Sequence, residues 1–398
     1  MTLEEAKAAY LAGDYASALP TFQEQLKRRP KDARLNHWTG VCLYQTGNID
    51  AAIPLLEFAH SKGVVESPRF LAEITFNKIT KTMKVSEILA GSKKAYPSIE
   101  IVPPLRGITK DELLESIAPF MEFAPKYINV TSHRDEFEYR EEADGSFSRH
   151  LIRNRISETT VCAAIMSKYN IETVPHIICA GTTAEEIESK LDNLEFLGIN
   201  NIVALRGDSI TGEKRFTPTP GGYRYASELV EGIRQYQGSA DYRRNRKEER
   251  YFCIGVGGYP EKHFEAPNLE TDIANLKKKV DAGADYIITQ MFFDNQVYYD
   301  FVRRCREAGI TVPIIPGLKP LSTARQVNML PESFSLDIPV ELTSEIAKAG
   351  DDKDAIYQIG TEWCIAQCKD LIAHGVPAVH FYTMGKSKNI VNILKECF

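Results

Sequence analysis

An alternation of apolar, strand-length runs with amphipathic helical stretches begins near residue 97, and it constrains the fold more than any other feature. Runs this apolar are typical of strands buried on both faces, as in parallel sheets. Eight such strands, each followed by a helix, indicate an α/β protein with a (β/α)8 TIM barrel, whereas the competing doubly wound sheet needs fewer strands. The predicted strands are Ser98–Val102, Tyr127–Ser132, Pro175–Ala180, Ile202–Arg206, Phe252–Gly257, Tyr286–Phe292, Pro313–Pro316 and Ala378–Thr383.

Helix boundaries in this region are well marked. The segments 109–112 and 183–186 each place a threonine three residues before a glutamate, which is the pattern of a capping box at a helix N-terminus. The predicted helices 270–281 and 294–308 are closely followed by a glycine, the residue that most readily ends a helix.

The beginning of the chain carries a different pattern, an internal repeat with a period of 34 residues. The segment 13–20, GDYASALP, returns as 47–54, GNIDAAIP. A period of 34 with helix–turn–helix content is typical of the tetratricopeptide repeat. Two repeats are fewer than the three usually needed for a stable stack, so we predict that 66–82 forms a capping helix. The sequence therefore predicts a small all-α, tetratricopeptide-like domain at 1–82 and a barrel domain at 83–398.

Two functions fit residues 1–82. Helical repeats of this kind present a surface for a protein partner or for self-association, or they form a solubilising appendage without a ligand. The sequence identifies neither a partner nor the oligomeric state, so a homo-oligomer and a bound protein partner both stay open.

Composition limits the remaining function classes. No uncharged apolar run reaches the ~18 residues that would span a bilayer, so no membrane segment is predicted. The N-terminus lacks the basic and apolar regions of a signal peptide, and the eight cysteines follow no disulfide framework, as is typical of the cytosol. A net charge of −6 disfavours nucleic-acid binding, and no metal-binding motif is present. We therefore predict a soluble cytoplasmic protein.

Polar residues interrupt or end the apolar runs at the C-terminal ends of the strands, where a barrel carries its chemistry. Glu100 lies within the first strand, 206–208 (Arg-Gly-Asp) ends the fourth, and Gln290 lies within the sixth. Buried polar groups without a ligand would only cost stability, so these residues favour an enzyme over an inert scaffold. A carboxyl group in an apolar strand is expected to have a raised pKa, so Glu100 could carry a proton at neutral pH.

Several of these residues belong to longer segments: 98–104, SIEIVPP; 127–131, YINVT; 202–208, IVALRGD; 281–294, DAGADYIITQMFFD; and 380–383, HFYT. With these segments in this order, the chain from about Met83 onward resembles the flavin-dependent 5,10-methylenetetrahydrofolate reductase family. The resemblance implies a (β/α)8 barrel that binds FAD without a dinucleotide fingerprint, and no G-x-G-x-x-G follows a predicted strand. It implies reduction of 5,10-methylenetetrahydrofolate to 5-methyltetrahydrofolate, with NADH or NADPH as the electron donor.

The resemblance also implies roles for individual residues. Glu100 would be the general acid that opens the substrate's five-membered ring to an iminium, and Asp208 would lie beside the flavin and stabilise that cation. Gln290, assisted by Gln326, would bind the pterin end of the folate, and Lys386 would lie near the substrate tail. The residues matched to FAD-binding positions are Thr131, His176, Arg206, Gly207, Asp208, Tyr225, Ala226, Tyr259, His263, Asp272, Asn275, Lys278 and Lys279.

Helical spacing supports part of this set. Asp272, Asn275 and Lys279 recur at i, i+3 and i+7, so they share one face of a helix. On that face the carboxylate and the amide can hold ribose hydroxyls, and the lysine can meet a phosphate.

Departures from the family pattern leave specificity open. Leu330 falls near an aromatic that stacks on nicotinamide or folate in some relatives, and Lys386 replaces an arginine. The short turn that usually follows Val-Thr is replaced by a longer loop, expected over 132–155. The choice between NADH and NADPH and the recognition of the substrate tail therefore stay open. The alternatives for the whole chain are a barrel flavoenzyme with another substrate and a repeat-type scaffold with an inert barrel.

Overall fold

The computed structural model consists of two compact units, Met1–Thr82 and Met83–Phe398. The structure describes residues 1–71, 82–134, 136–152, 155–209, 215–244, 250–383 and 388–398. Within those ranges no helix is both long and apolar enough to cross a membrane.

The first unit is built of helices. The helices are α1 (Leu3–Leu11), α2 (Tyr15–Arg28), α3 (Ala33–Gln45) and α4 (Ile49–Ser61). The repeated glycines, Gly13 and Gly47, have φ angles of +83° and +88°, a left-handed conformation that glycine adopts readily, and they let the chain turn between helices. Ala18 and Ala52, also equivalent in the repeat, are fully buried where the helices approach. The predicted helix–turn–helix arrangement is confirmed, while residues 72–81 of the expected capping helix lie outside the described part of the chain.

The second unit contains all eight predicted strands. Their bounds are β1 (Tyr96–Ile101), β2 (Tyr127–Val130), β5 (Glu172–Ile178), β6 (Asn201–Leu205), β7 (Cys253–Gly258), β8 (Tyr286–Met291), β9 (Ile314–Leu318) and β10 (Ala378–Tyr382), with β3 (Glu136–Glu141) and β4 (Phe147–Ile152) between the second and third. The eight form a closed barrel in the order β1-β10-β9-β8-β7-β6-β5-β2, and each neighbouring pair is parallel. The predicted (β/α)8 barrel is therefore confirmed.

Helices connect these strands. Their bounds are α5 (Val85–Gly91), α6 (Lys110–Met121), α7 (Glu158–Tyr169), α8 (Ala184–Phe196), α9 (Ala226–Gly238), α10 (Ala240–Arg243), α11 (Leu269–Asp281), α12 (Asn295–Glu307), α13 (Gln326–Phe334), α14 (Val340–Ala349), α15 (Lys353–Ala373) and α16 (Lys388–Cys397). Thr109 and Thr183 form both hydrogen bonds of their predicted capping boxes.

The antiparallel hairpin β3–β4 was not expected, because 132–155 was predicted as a loop. Asp144 and Gly145 form its turn, in which the Asp144 carboxylate accepts a hydrogen bond from the Ser146 amide at 2.9 Å and Gly145 adopts a φ of +79°. An Asp-Gly pair between polar and apolar residues is a strong hairpin signal, so the loop prediction was wrong for a reason that is visible in the sequence.

The side chains of each barrel strand alternate between two cores. Ile99 and Ile101 of β1 pack outward against the helices, whereas Tyr96 joins the core inside the barrel. Side chains of α5 pack into the interior core with Tyr127 and Tyr286. Following the same alternation, Ser98 and Glu100 come next along β1 toward its C-terminal end. The barrel thus has an apolar N-terminal end and a polar C-terminal end.

Candidate active site

A buried layer of hydrogen-bonded polar side chains lies inside the barrel. Asn129 of β2 donates from Nδ2 to Ser98 Oγ of β1 at 3.1 Å, and Ser98 Oγ lies 3.0 Å from Nδ1 of His380 on β10. All three residues are completely buried. Buried polar groups are costly unless they are hydrogen-bonded, so these three side chains depend on one another for hydrogen bonds inside the barrel.

Glu100 lies beside this layer, and its carboxylate faces two imidazoles. Its Oε2 is 3.6 Å from Nε2 of His380 and 3.9 Å from Nε2 of His176 on β5. Both Nε2 atoms are buried and have no hydrogen-bond partner among the described residues. The Glu100 side chain is 12% exposed, so the carboxylate is almost enclosed but retains contact with the open end of the barrel.

The raised pKa expected for Glu100 is wrong for the protein without ligands. Burial raises the pKa of this carboxyl, but attraction to His380, His176 and His133 more than offsets it, and the net pKa is lowered. The separation of 3.6 Å from His380 exceeds a hydrogen bond, so we ascribe the lowering to electrostatic attraction. Burial lowers the pKa of His176 to about 4, so this imidazole is neutral at pH 7. Glu100 therefore rests as a carboxylate.

A second cluster, formed by cationic and aromatic side chains, lies at the C-terminal ends of β6 and β7. Lys279 of α11 donates to the carbonyl of Gly257 at 2.8 Å and lies 5.8 Å from the centre of the Tyr259 ring. Burial lowers the pKa of Lys279 to about 8. Arg206, which follows β6, forms an ion pair with Glu265.

The segment after β7 is tied to α11. The amide of His263 donates to Oδ2 of Asp272 at 3.0 Å, and the His263 ring packs edge-on against Tyr259 with centroids 4.8 Å apart. Burial lowers the pKa of His263 to about 4, so its ring is neutral at pH 7. Asp272 and Lys279 interact electrostatically, which places two of the three residues predicted to share a helix face in one cluster.

Gly207, between Arg206 and Asp208, occupies a position where any side chain would be strained. Its φ is +82°, and a Cβ atom added there would lie 2.8 Å from Cβ of Ala180. The backbone that follows β6 therefore packs closely against the residues at the end of β5.

A Gly207→Ala variant is expected to lose about 1–3 kcal/mol of unfolding free energy through backbone strain and contact with Ala180, and to bind FAD more weakly. Denaturant unfolding and titration with FAD measure the two effects. Gly238→Ala is the matched control, because Gly238 lies in α9 and no atom is within 4 Å of its added Cβ. Equal behaviour of the two variants would contradict the strain argument.

The remaining predicted residues are more dispersed. Thr131 Oγ1 lies 3.2 Å from His133 Nε2. Asp208 is exposed and follows β6. In β8, Gln290 Oε1 accepts a hydrogen bond from the amide of Met291 at 3.0 Å. Tyr225 and Ala226 lie at the start of α9, and Lys278 donates to Asn275 at 3.0 Å on the exposed side of α11. Lys386 lies outside the described residues.

Gln326 lines a small cavity beside the ends of β9 and β10. The cavity is about 180 Å³ in volume, and its other lining residues are Lys319, Pro320, Ser322, Tyr382, Thr383 and Asn389. Gln326 itself accepts hydrogen bonds from the amides of Ser322 and Thr323 at 2.7 and 3.2 Å. The structure thus places Gln326 at the same end of the barrel as Glu100, with the Tyr382 side chain bordering the cavity.

Ser98, Asn129 and His380 were not assigned as site residues from the sequence. Each one lies two residues from another polar position on the same strand or its end: Glu100, Thr131 and Tyr382, respectively. Because side chains alternate along a strand, this spacing of two indicates a shared interior face and was the available signal.

The residues at the β6 and β7 ends fit a phosphate-bearing cofactor such as FAD. Lys279 is a partly buried cation with a depressed pKa, and binding of an anion would raise that pKa and stabilise the charged form. Arg206 is a second cation, with a side chain 17% exposed. Arginine and lysine are the side chains that bind phosphate groups best, by their charge and donor geometry.

Comparisons with known proteins identify both parts of the chain. A family model described as methylenetetrahydrofolate reductase matches residues 84–397, and one described as tetratricopeptide repeat matches residues 3–59. The chain is 31% identical over 320 residues to methylenetetrahydrofolate reductase (NADH) 1 of Arabidopsis thaliana, an alignment that covers 78% of this chain and 49% of the relative.

Two further relatives come from yeast and bacteria. Methylenetetrahydrofolate reductase 2 of Saccharomyces cerevisiae is 35% identical over 275 residues, covering 68% of this chain and 42% of the relative. The 5,10-methylenetetrahydrofolate reductase of Escherichia coli is 31% identical over 291 residues, covering 73% of this chain and 86% of the relative. The chain thus matches about half the length of the plant relative and most of the bacterial one.

Proposed function

Since the chain belongs to the methylenetetrahydrofolate reductase family, we propose that it reduces 5,10-methylenetetrahydrofolate to 5-methyltetrahydrofolate, with NADH or NADPH as the electron donor and FAD as the bound cofactor. The observation that carries this proposal is the nearly enclosed carboxylate of Glu100, which faces His176 and His380 at the C-terminal end of the barrel. A carboxyl group in this setting suits general acid catalysis on a ligand that enters from that end.

The cofactor site that we propose comprises the β6–β7 cluster. Lys279 and Arg206 would meet the phosphates, and Asp272 would face a ribose hydroxyl, as its partly buried position beside Lys279 allows. Bound FAD would accept a hydride from NAD(P)H and supply it to the methylene carbon of the substrate. Asp208, exposed after β6, would lie beside the cofactor and the substrate.

Glu100 would protonate a ring nitrogen of the substrate, so that the carbon–nitrogen bond breaks and a cationic iminium forms. In the protein without ligands Glu100 is ionised, so it has to take up a proton when the substrate binds. A substrate that covers the remaining 12% exposure of its side chain removes water, and this loss of solvation raises the pKa of the carboxyl. After the transfer, the carboxylate and Asp208 would both stabilise the iminium by their negative charge.

Gln290 and Gln326 would bind the pterin end of the folate. Gln290 lies in β8, where its Oε1 accepts from the amide of Met291, so its amide nitrogen would serve as the donor to the pterin. Gln326 borders the cavity at the β9 and β10 ends, where its Oε1 is held by backbone amides. An amide fixed in this way can donate from its nitrogen to the acceptor atoms of a pterin ring.

The proposal is tested with the full chain loaded with FAD. Anaerobic addition of NADH or NADPH should bleach the flavin, and 5,10-methylenetetrahydrofolate should restore its colour with formation of 5-methyltetrahydrofolate. A protein that takes up no FAD, or whose flavin is never bleached, would overturn the proposal. A flavin that is bleached but not reoxidised by the folate would instead support a barrel flavoenzyme with another substrate.

We also propose that residues 83–398 hold the whole catalytic site and that residues 1–82 form a separate module for a protein partner or for self-association. The two matched family models support this division, since they cover separate parts of the chain. A chain that starts at Met83 is expected to retain FAD content and both half-reactions, as measured by flavin absorbance and stopped flow. Loss of FAD content on removal of residues 1–82 would contradict this division, and a change from oligomer to monomer would support self-association.

A further inference from the structure

His380 lies in the interior of the barrel, where the proposed mechanism does not yet use it. Its imidazole is completely buried, with Nδ1 at 3.0 Å from Ser98 Oγ and Nε2 at 3.6 Å from Glu100 Oε2. Ser98 and His380 occupy directly paired positions of β1 and β10, so the barrel itself holds these two groups together.

The contact between Ser98 Oγ and Nδ1 of His380 is compatible with either tautomer of the imidazole, and only the tautomer in which the serine donates turns a proton toward Glu100. Ser98 Oγ accepts a hydrogen bond from Asn129 and can donate its own proton to Nδ1 of His380. A neutral imidazole that accepts at Nδ1 carries its proton on Nε2. In this tautomer the proton on Nε2 faces the carboxylate of Glu100.

We propose that His380 is a positioning residue for Glu100: Asn129 and Ser98 orient its imidazole, and its Nε2–H, which faces the Glu100 carboxylate, stabilises the ionised form and sets the pH range in which that group acts as an acid. This inference rests on the proposed function for its kinetic consequences, but the orientation of His380 can be measured without turnover. The geometry assigns no bond-breaking step to His380, because the proton that reaches the substrate comes from Glu100.

Other titratable groups face Glu100 from the neighbouring elements. His176 faces it from β5, His133 from the segment after β2, and Tyr382 from β10. His176 is neutral at pH 7, and burial also lowers the pKa of His133. Glu158 and Arg155 act on these histidines from farther out. Among these groups, His380 has the imidazole nitrogen closest to the carboxylate and the one whose orientation is fixed by a serine.

Removing His380 should change the pH dependence of one half-reaction. Without its attraction, less remains to offset the effect of burial, so the pKa of Glu100 rises and the acid form persists to higher pH. In His380→Asn the alkaline limb of the pH profile of folate reduction is expected to move to higher pH by about one unit. The maximal rate is expected to fall about tenfold because the Glu100 carboxyl loses a neighbour that orients it. Flavin reduction by NAD(P)H should keep its rate and pH profile.

The experiment compares His380→Asn and Ser98→Ala with wild type in the FAD-loaded full chain. His60→Asn, an exposed position in the first unit, is the control for loss of a histidine. Stopped flow gives the pH profile of each half-reaction, and 15N NMR of histidine-labelled protein gives the protonated ring nitrogen of the signal that disappears in His380→Asn. We expect Nε2 to carry the proton in wild type, and Ser98→Ala to shift the pH profile in the same direction by a smaller amount.

Two results would overturn the assignment. One is a proton on Nδ1 of His380 at neutral pH, which would turn an unprotonated nitrogen toward Glu100. The other is a pH midpoint of folate reduction that stays unchanged in both Ser98→Ala and His380→Asn, which indicates a purely structural role. If wild type does not reduce methylenetetrahydrofolate, the proposed function fails, whereas the NMR result still decides the orientation of His380.

Discussion

Replacement of Glu100 by glutamine is expected to lower the rate of methylenetetrahydrofolate reduction by about 10²–10⁴-fold while flavin reduction by NAD(P)H proceeds normally. Glutamine has nearly the size of glutamate, so it preserves packing beside His176 and His380, but it has no acidic proton to give to a ring nitrogen. Stopped-flow measurement of the two half-reactions separates these effects, because only folate reduction needs a proton from the protein.

A suitable control is Glu341→Gln, which makes the same chemical change at an exposed position in α14. It should leave both half-reactions unchanged. Loss of both half-reactions in Glu100→Gln, in equal proportion, would place Glu100 in the structure of the site rather than in proton transfer. Retention of both would remove it from the mechanism.

The barrel could be predicted from the sequence because strands that are buried on both faces appear as continuous apolar runs. All eight apolar runs became strands, and the two capping boxes begin α6 and α8 as predicted. The hairpin β3–β4 was missed because its strands are polar and largely exposed, with Tyr139 and Phe147 facing solvent. Such strands carry little hydrophobic patterning, and only the Asp144–Gly145 turn indicated them.

The environment of Glu100 could not be predicted in the same way. Its position in an apolar strand was visible, but the groups that determine its charge come from distant parts of the chain. Ser98 and His380 are 282 residues apart and meet only because β1 pairs with β10 when the barrel closes. Burial alone would raise the pKa of Glu100, so an argument from burial without these partners gave the wrong direction.

The largest effect on cofactor affinity is expected at Lys279. Its ammonium group is held between Gly257, Tyr259 and Asp272 at the proposed phosphate position. Lys279→Met removes this charge while preserving most of the aliphatic side chain, and we expect the Kd for FAD to rise about 30-fold, equivalent to about 2 kcal/mol.

Fluorescence titration of the apoprotein with FAD measures the change, and Lys277→Met is the control. Lys277 lies on the same helix but pairs with Asp281 at the surface, so its loss should leave the Kd unchanged.

The lowered pKa of Lys279 makes FAD binding depend on pH in a direction that tests the same contact. With a pKa of about 8 in the absence of ligand, Lys279 is charged below pH 8 and loses its proton above it. A bound phosphate stabilises the ammonium form, so binding above pH 8 must be accompanied by proton uptake. The affinity of wild type should therefore be constant below pH 8 and fall by up to about tenfold per pH unit above it. Lys279→Met should bind weakly at all pH values, and Lys279→Arg, which remains charged, should lose the decline above pH 8. A decline that persists in both variants would show that another group titrates and that Lys279 does not contact the phosphates.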